Sequence, residues 1–400
     1  MFAAMRLIHT ADWHLGRLFH NVHLTADQAI VLEQFVDLVR DVRPAAVLVA
    51  GDLYDRAVPP TEAVDLLDQV LTEIVVGLGV PVVAIAGNHD SPARIDFGSA
   101  LVRERGLHLA GRLCATAAPV VLHDEHGPLH VHALPFTDAA VARHVYDDDR
   151  VHDQQATLAA GVARALAATP DGVRRVALAH AFVAGGAESE SERPLTVGGA
   201  GTVSARTFDG FDYVALGHLH RPQQAGADSV RYAGSLLKYS FAEHDQRKSV
   251  SVVEIGAPGS ADGDAGAAGR ASVTVDHVTL QPPRDVRRLE GTFDDLLRRG
   301  ATDPHRDDYV LAVLQDRGAV LDPIGRLREV YPNTLAIERP ELEREGRRRG
   351  DRPDLRKASE AELFADFFAF VTGEPPTAAQ AAAFAETVDD LLRRQREDAP

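Results

Sequence analysis

Seven side chains stand out by type and placement: Asp12, His14, Asp52, Asn88, His180, His218 and His220. They fall in five separated stretches that repeat one design. MRLIHTADWH runs apolar before Asp12 and His14, and AAVLVAGDLYD runs apolar before Gly51, Asp52 and Asp55. VVAIAGNHD breaks at Gly87 before Asn88, His89 and Asp90. RRVALAHAF reaches His180, and DYVALGHLH breaks at Gly217 before His218 and His220. Carboxylate, amide oxygen and imidazole without thiolate suit manganese, iron or zinc. Seven donors are too many for one ion and about right for two. A shared carboxylate can bridge ions ~3.5–4 Å apart, the geometry that hydrolyses phosphoesters by activating water and neutralising the transferring phosphoryl group. Taken singly, each motif is weak. DxH and Gly-Asp are common in loops and turns, two histidines at i and i+2 can simply flank a strand end, and a lone histidine is more often a satisfied core residue. The strength of the reading lies in five strand-end signals occurring in order.

The elements that must position these residues are legible around them. Short runs of Val, Ile, Leu and Ala read as strands buried on both faces. Open α/β sheets place ligand sites outside the carboxyl ends of their strands, so strands sharing a sheet would bring the five tips together. Between them, residues 26 to 41, 61 to 77 and 155 to 168 carry apolar side chains at helical spacing, with Pro59 and Pro60 just before the second and Thr61 as its N-cap. Strand and helix alternate as in βαβ units.

On these motifs the chain resembles the calcineurin-like metallophosphoesterases, whose pattern is DxH, GDxxD, GNH[DE], a single His and GHxH. MRLIHTADWHLGR, VAGDLYDRAVPP, AGNHDSPAR, ALGHLHRPQ and RYAGSLLKYSFAE are similar to the branch of SbcD-type nuclease subunits. The resemblance implies an α/β fold: a two-sheet sandwich flanked by helices, a small α/β cap and a C-terminal helical tail. It implies two divalent metal ions, with Mn2+ the expected ion. Asp12, His14 and His220 would hold the first, Asn88, His180 and His218 the second, and Asp52 would bridge. His89 would stay off the metals and face the scissile phosphate, with Asp55 orienting it and keeping it cationic. The implied activity is hydrolysis of DNA phosphodiesters, as exonuclease on double-stranded ends and endonuclease on hairpins or single strands, in repair, recombination and replication. The implied partners are DNA, an SbcC-like coiled-coil ATPase and a second copy of the chain within a heterotetramer. A phosphoesterase of the same fold acting on cyclic nucleotides or small phosphoesters is the alternative; a cap and a partner-binding tail would be dispensable for it.

Bulk properties limit the rest. Across 400 residues, 45% hydrophobic and 25% charged, several globular domains are expected. The net charge of −17 speaks against a nucleic-acid binder unless bound cations reverse the local field or a partner supplies basic surface. One cysteine, Cys114, excludes an internal disulfide. No apolar run approaches the ~20 residues of a membrane span and the N-terminus has no signal-peptide core, so a cytoplasmic location is expected. No GxxxxGK[ST] is present, so a P-loop ATPase would have to be another chain.

Three domains are expected: a nuclease domain over 1–280, an α/β cap contacting DNA over 281–340, and a linker with partner-binding helices over 341–400. The acidic, Gly-bounded stretch 185 to 199 either lines the cleft or is a solvated loop, the commoner case. SVRYAGSLL, KSVSVVEI and ASVTVDHVTL read as strands, the last two an antiparallel pair around a Gly/Ala-rich loop at 256 to 272, completing a second sheet. In the cap, the Arg pairs at 287–288 and 298–299 either touch phosphates or are solvated helix charges. Residues 340 to 357 read as a charged linker. The helices that follow carry Phe364, Phe367, Phe368 and Phe370 on one apolar surface.

Overall fold

The computed structural model describes residues 4–116, 118–189, 191–192, 201–259, 270–316, 318, 320–340 and 359–397, with no side-chain description of Phe370 or of residues beyond 388. The chain divides into two compact units, Met1–Pro283 and Arg284–Pro400.

The first unit holds two six-stranded mixed sheets. One contains β1 (Met5–Thr10), β2 (Ala46–Val49), β3 (Val82–Ile85) and β4 (Leu107–Ala110), all parallel. The other contains β5 (Val120–Asp124), β6 (Gly127–Leu134), β7 (Arg174–His180), β8 (Tyr213–Gly217), β9 (Gln223–Ala225) and β10 (Ala227–Tyr232), in the order β9-β10-β8-β7-β6-β5. The first sheet is completed by β11 (Val250–Ile255), antiparallel to β1, and β12 (Val273–Val278), antiparallel to β11. Here the structure corrects the expectation. The C-terminal pair is antiparallel as read, yet it extends the first sheet rather than completing the second, because Leu7 and Val253 pair in register and both turn inward. The tip of that hairpin, residues 260–269, lies outside the described residues.

Alternation decides which face goes where. Leu7, Leu48, Val83 and Ile85 meet Leu129, Val131, Val176, Leu178, Tyr213 and Ala215 of the other sheet in the central core. The opposite faces are buried too. Ala177, Ala179, Val214 and Leu216 pack beneath Leu158, Val162 and Ala165 of the helix Gln154–Ala167. The helix Thr25–Val42 buries Val31, Leu32, Phe35 and Val39. Burial on both sides is why these strands are uniform apolar runs rather than alternating ones. The helix Thr61–Thr72 is capped at Pro60, with Thr61 its first helical residue, and continues as one π-turn, Glu73–Gly77.

The second unit contains three parallel strands, Val286–Gly291, Tyr309–Leu314 and Thr334–Glu338, with the helices Phe293–Gly300 and Pro323–Arg328. Asp322 caps the latter by accepting from the Gly325 N–H at 3.2 Å. Leu289, Phe293, Leu296, Val310, Leu314, Leu327 and Tyr331 form its core. Two further helices follow, Glu360–Thr372, opened by a Ser359–Glu362 capping box, and Ala378–Glu397. Phe364 stacks on Phe384 with ring centroids 4.0 Å apart, while Phe367 is 64% exposed. The expected linker at 340 to 357 falls, apart from Pro340, outside the described residues. No helix among those described is long and apolar enough to cross a membrane.

Candidate metal centre

The five strand tips do not share one sheet. β1, β2 and β3 bring Asp12, His14, Asp52 and Asn88 from one sheet, and β7 and β8 bring His180, His218 and His220 from the other. The seven residues nevertheless converge, because the two sheets meet face to face with the carboxyl ends of these strands at one rim. Asp12, His14, Asp52, His180, His218 and His220 are buried, and Asn88 and His89 are half-buried.

Local backbone geometry explains why polar residues follow the apolar runs so abruptly. Asp12, His14, Asp52 and His218 all adopt positive φ, between 45° and 108°. Non-glycine residues rarely do so, and such outliers persist only where surrounding contacts over-determine them. Each chain turns sharply as it leaves its strand and throws the side chain back over the sheet edge. The glycines serve close approach. A Cβ at Gly87 would lie 2.1 Å from Asp52 Oδ1, and one at Gly217 would lie 1.9 Å from the Ala50 carbonyl oxygen. Neither position has room for a methyl group.

Three groups of side chains have donor atoms within 4.8 Å of one another: Asp12–His14–His220, Asp12–Asp52–His180 and His14–Asp52–His89. Asp12 joins the first two groups and Asp52 the last two. His14 Nε2 is 3.1 Å from His220 Nε2, and Asn88 Oδ1 is 2.8 Å from His180 Nε2. Asp52 Oδ2 lies 3.7 Å from His14 Nε2 and 3.5 Å from His180 Nε2. His218 belongs to none of the three groups; its ring packs on His180 at 5.4 Å, and its main-chain N–H donates to both Asp12 oxygens at 3.0 and 3.1 Å.

Electrostatics point to a cation. Burial, and then the neighbouring Asp52, push the Asp12 carboxyl well above its usual range. Burial lowers the histidines: His180 to about 4, against its hydrogen bond to the Ala50 carbonyl, and His14 and His218 well below the ordinary value, each further depressed by neighbouring imidazoles. Neutral imidazoles beside crowded carboxylates are the protonation states that ligate metals. His14 Nδ1 is buried without a hydrogen-bond partner, and two Nε2 atoms face each other across 3.1 Å. This donor set fits divalent metal ions.

Asp55 requires correction. His89 Nδ1 is 2.7 Å from the Asp55 main-chain carbonyl, not its carboxylate. The carboxylate pairs with Arg17 at 2.8 Å and stands 3.6 Å from His14 Nδ1. The chain reverses after Asp52, so residue 55 presents its backbone to His89 and its side chain to the neighbouring loop. That carbonyl accepts from the Nδ1–H and orients the His89 ring, which leaves Nε2 for the centre.

Other residues also reach the centre. Asp90, readable only as a turn residue, accepts from the N–H groups of Leu53, Tyr54 and Gly87 at 3.1, 2.9 and 2.9 Å, tying the Asp52 loop to the Asn88 loop. Burial and the nearby Asp52 raise its pKa to about 7. Of the two readings of the acidic segment, the described residues favour the cleft: Ser191 Oγ is 2.9 Å from His220 Nδ1, and Glu192 accepts from the His220 N–H at 2.8 Å. The remainder of that segment, 190 and 193–200, lies outside the described residues. Glu243 Oε1 is 3.1 Å from His220 Nδ1, and Lys248 is ion-paired to Glu243. Burial alone would push the Glu243 carboxyl up, but the Lys248 ammonium and the His220 contact hold it well below the usual range. In the second unit Arg287 pairs with Asp303, Arg288 with Glu290 and Arg298 with Asp295, while Arg299 donates to the Glu290 carbonyl.

This fold and site define a phosphoesterase class, and sequence comparison agrees: the chain belongs to the calcineurin-like phosphoesterase family, matched over residues 5–222, in its SbcD branch. A C-terminal family, SbcD_C, described as the type 5 capsule protein repressor C-terminal domain, matches residues 282–372. The SbcD subunit of the SbcCD nuclease of Staphylococcus saprophyticus is 30% identical over 388 residues, covering 97% of this chain and 99% of that protein. The crystal structure of TT1561 from Thermus thermophilus aligns with 62% of this chain and 93% of that one, at 14% identity and a TM-score of 0.35, a likeness too distant to bear on the site.

Proposed function

We propose that the chain is the catalytic subunit of an SbcCD-type nuclease and hydrolyses DNA phosphodiesters with two divalent ions, Mn2+ foremost. Asp12, His14 and His220 hold the first ion, Asn88, His180 and His218 the second, and Asp52 is shared. The observation that carries this reading is the burial of Asp12 and Asp52 among imidazoles whose ring nitrogens lie 3.5–4.0 Å from their oxygens. When bound, the ions supply charge neutralisation and an activated water for attack on phosphorus. The chain's own groups do the rest. His89 is held by the Asp55 carbonyl beside His14, with the two rings 4.7 Å apart, and stabilises the phosphoryl oxygens or protonates the leaving oxygen. Asp90 keeps the Asp52 and Asn88 loops in register.

In this reading residues 1–280 are the nuclease domain, 281–340 a DNA-contacting cap, and 341–400 a linker and helical segment that docks an SbcC-like coiled-coil ATPase. The exposed Phe367, beside the stacked Phe364–Phe384 pair, supports the docking role. The active form is a homodimer within a heterotetramer. Wild type, Asp52→Ala and His89→Ala are compared on hairpin and blunt duplex DNA with Mn2+, alongside metal content. Asp52→Ala loses bound metal and at least ~10³-fold activity, equivalent to about 4 kcal/mol of barrier. His89→Ala keeps its metal but loses about 10²–10⁴-fold. Equal cutting by all three proteins rejects the assignment.

A further inference from the structure

Two of the histidines assigned to ions have their far ring nitrogens held in different ways. His180 Nδ1 meets a main-chain carbonyl, that of Ala50, at 2.9 Å. His220 Nδ1 meets a carboxylate, Glu243, at 3.1 Å. Glu243 is fully buried and lies in the short turn Phe241–Glu243, beyond the matched phosphoesterase segment and before the matched C-terminal one.

Glu243 is itself anchored. Its other oxygen takes Lys248 Nζ. That ammonium also donates to Gln246 Oε1 at 2.7 Å and to the His220 carbonyl at 2.8 Å, so all three of its N–H groups are used. Lys248 therefore grips the main chain of His220 while Glu243 grips its ring. An ionised carboxylate only accepts, and Ser191 Oγ, 2.9 Å from the same nitrogen, gives its own hydrogen to Glu243 and can only accept from the ring; Nδ1 therefore carries a hydrogen, and Nε2 presents its lone pair toward His14 when the ring ligates.

We propose that Glu243 and Lys248 are positioning residues for His220: a buried charge pair that selects its Nδ1–H tautomer, fixes its ring and strengthens it as a ligand. This rests on the two-ion reading above and deepens it. It makes the two ion positions unequal, the one with His220 backed by a carboxylate and the one with His180 by a peptide carbonyl. Partners behind a metal-binding histidine typically change metal affinity about 10–100-fold.

The test uses the full chain at pH 7.5. The double variant Glu243→Gln/Lys248→Met removes both charges together and leaves neither buried alone. Mn2+ titration followed by electron paramagnetic resonance is expected to show two ions in the wild type. In the double variant, one site should weaken about 10–100-fold and the other keep its affinity. Glu243→Asp retains both charges but shortens the reach, guards against a folding defect, and should weaken the same single site. In metal-free protein with 15N-labelled histidine, His220 should show the Nδ1–H pattern in the wild type and a tautomer mixture in the double variant. A folded double variant that binds two ions at wild-type affinity, with His220 still a single tautomer, overturns the positioning role and leaves the two-ion reading intact. A wild type that takes up no ion defeats the two-ion reading, while the tautomer measurement still decides whether Glu243 holds the ring.

Discussion

In the first unit Asp12 and Asp52 are buried together, and Asp12 is answered by one main-chain N–H, that of His218 just beyond a strand of the opposite sheet. In the second unit Asp303, Glu290 and Asp295 each sit beside an arginine on a partly or fully exposed surface. The same residue types are thus held in two energetic states. Exposed pairs are screened by water and contribute roughly 0–1 kcal/mol each. Buried carboxylates crowded against each other are a liability until a cation arrives. Arg174, fully buried and paired with the half-buried Asp124, is the instructive intermediate: there the fold answers a charge with its opposite, and at the strand tips it sets histidines beside the acids instead.

The sharpest way to break this contrast is to remove the liability. Asp12 has a raised folded pKa, so its favourable contribution exists at low pH and is lost as pH rises through that value. Metal-free Asp12→Asn should therefore melt at or above the wild-type temperature at pH 7.5. Mn2+ at about 100-fold excess over its Kd stabilises the wild type by about 2.7 kcal/mol per site, a rise of roughly 5–10 °C. The variant should lose most of that rise. Differential scanning calorimetry with and without Mn2+ decides it, and a variant that still gains the full shift would contradict the assignment of Asp12.

A smaller effect comes from a buried histidine that serves structure. His9 bridges the sheets through Tyr213 Oη at 2.9 Å and the Leu216 carbonyl at 3.1 Å. Burial lowers its pKa to about 3 from an ordinary 6.5. A depressed histidine contributes stability that is complete above pH 6.5 and lost as pH falls toward the folded value. Between pH 7.5 and 5 the loss reaches up to about 2 kcal/mol. His9→Gln should be less stable at pH 7.5 but should surrender correspondingly less on acidification, as read by urea melts at both pH values. Equal acid sensitivity in the two proteins removes His9 as the cause.

The smallest effect lies in the second unit. Arg298→Ala breaks the i,i+3 pair with Asp295 at the end of its helix, where both side chains are exposed. A loss within about 0.5 kcal/mol is expected, indistinguishable from wild type at 0.5 M NaCl. A loss above about 1 kcal/mol would mean the second unit also depends on its charges.

The legible part of this molecule was the part written locally. A run such as VVAIAG marks a doubly buried strand, and the break at Gly87 marks its end. The donors near such ends could be named because each strand carries its own tip. What escaped the reading depends on chain folding back over long separations. Glu243 closes the RYAGSLLKYSFAE stretch, but nothing local announces that it and Lys248 meet His220 across 23 and 28 residues. Asp55 does lie against His89, but through its carbonyl: one-dimensional spacing indicates proximity and cannot tell a carbonyl from a carboxylate of the same residue. The pairing of β11 with β12 is legible in the sequence, but the sheet they join is set by inward-facing partners on β1, which no local pattern specifies.

At Gly217 and Ala50 the two sheets touch through main chain. A bare α-carbon from one sheet rests against a peptide oxygen of the other with no space for a methyl group. His180 anchors to that same oxygen, and Asp12 reaches across to the His218 amide. The spacing between the donors of the two sheets is therefore gauged by touching main-chain atoms, not by adjustable side chains. The sheets cannot draw closer at that rim, so adjustment to whatever occupies the centre falls to the loops around it.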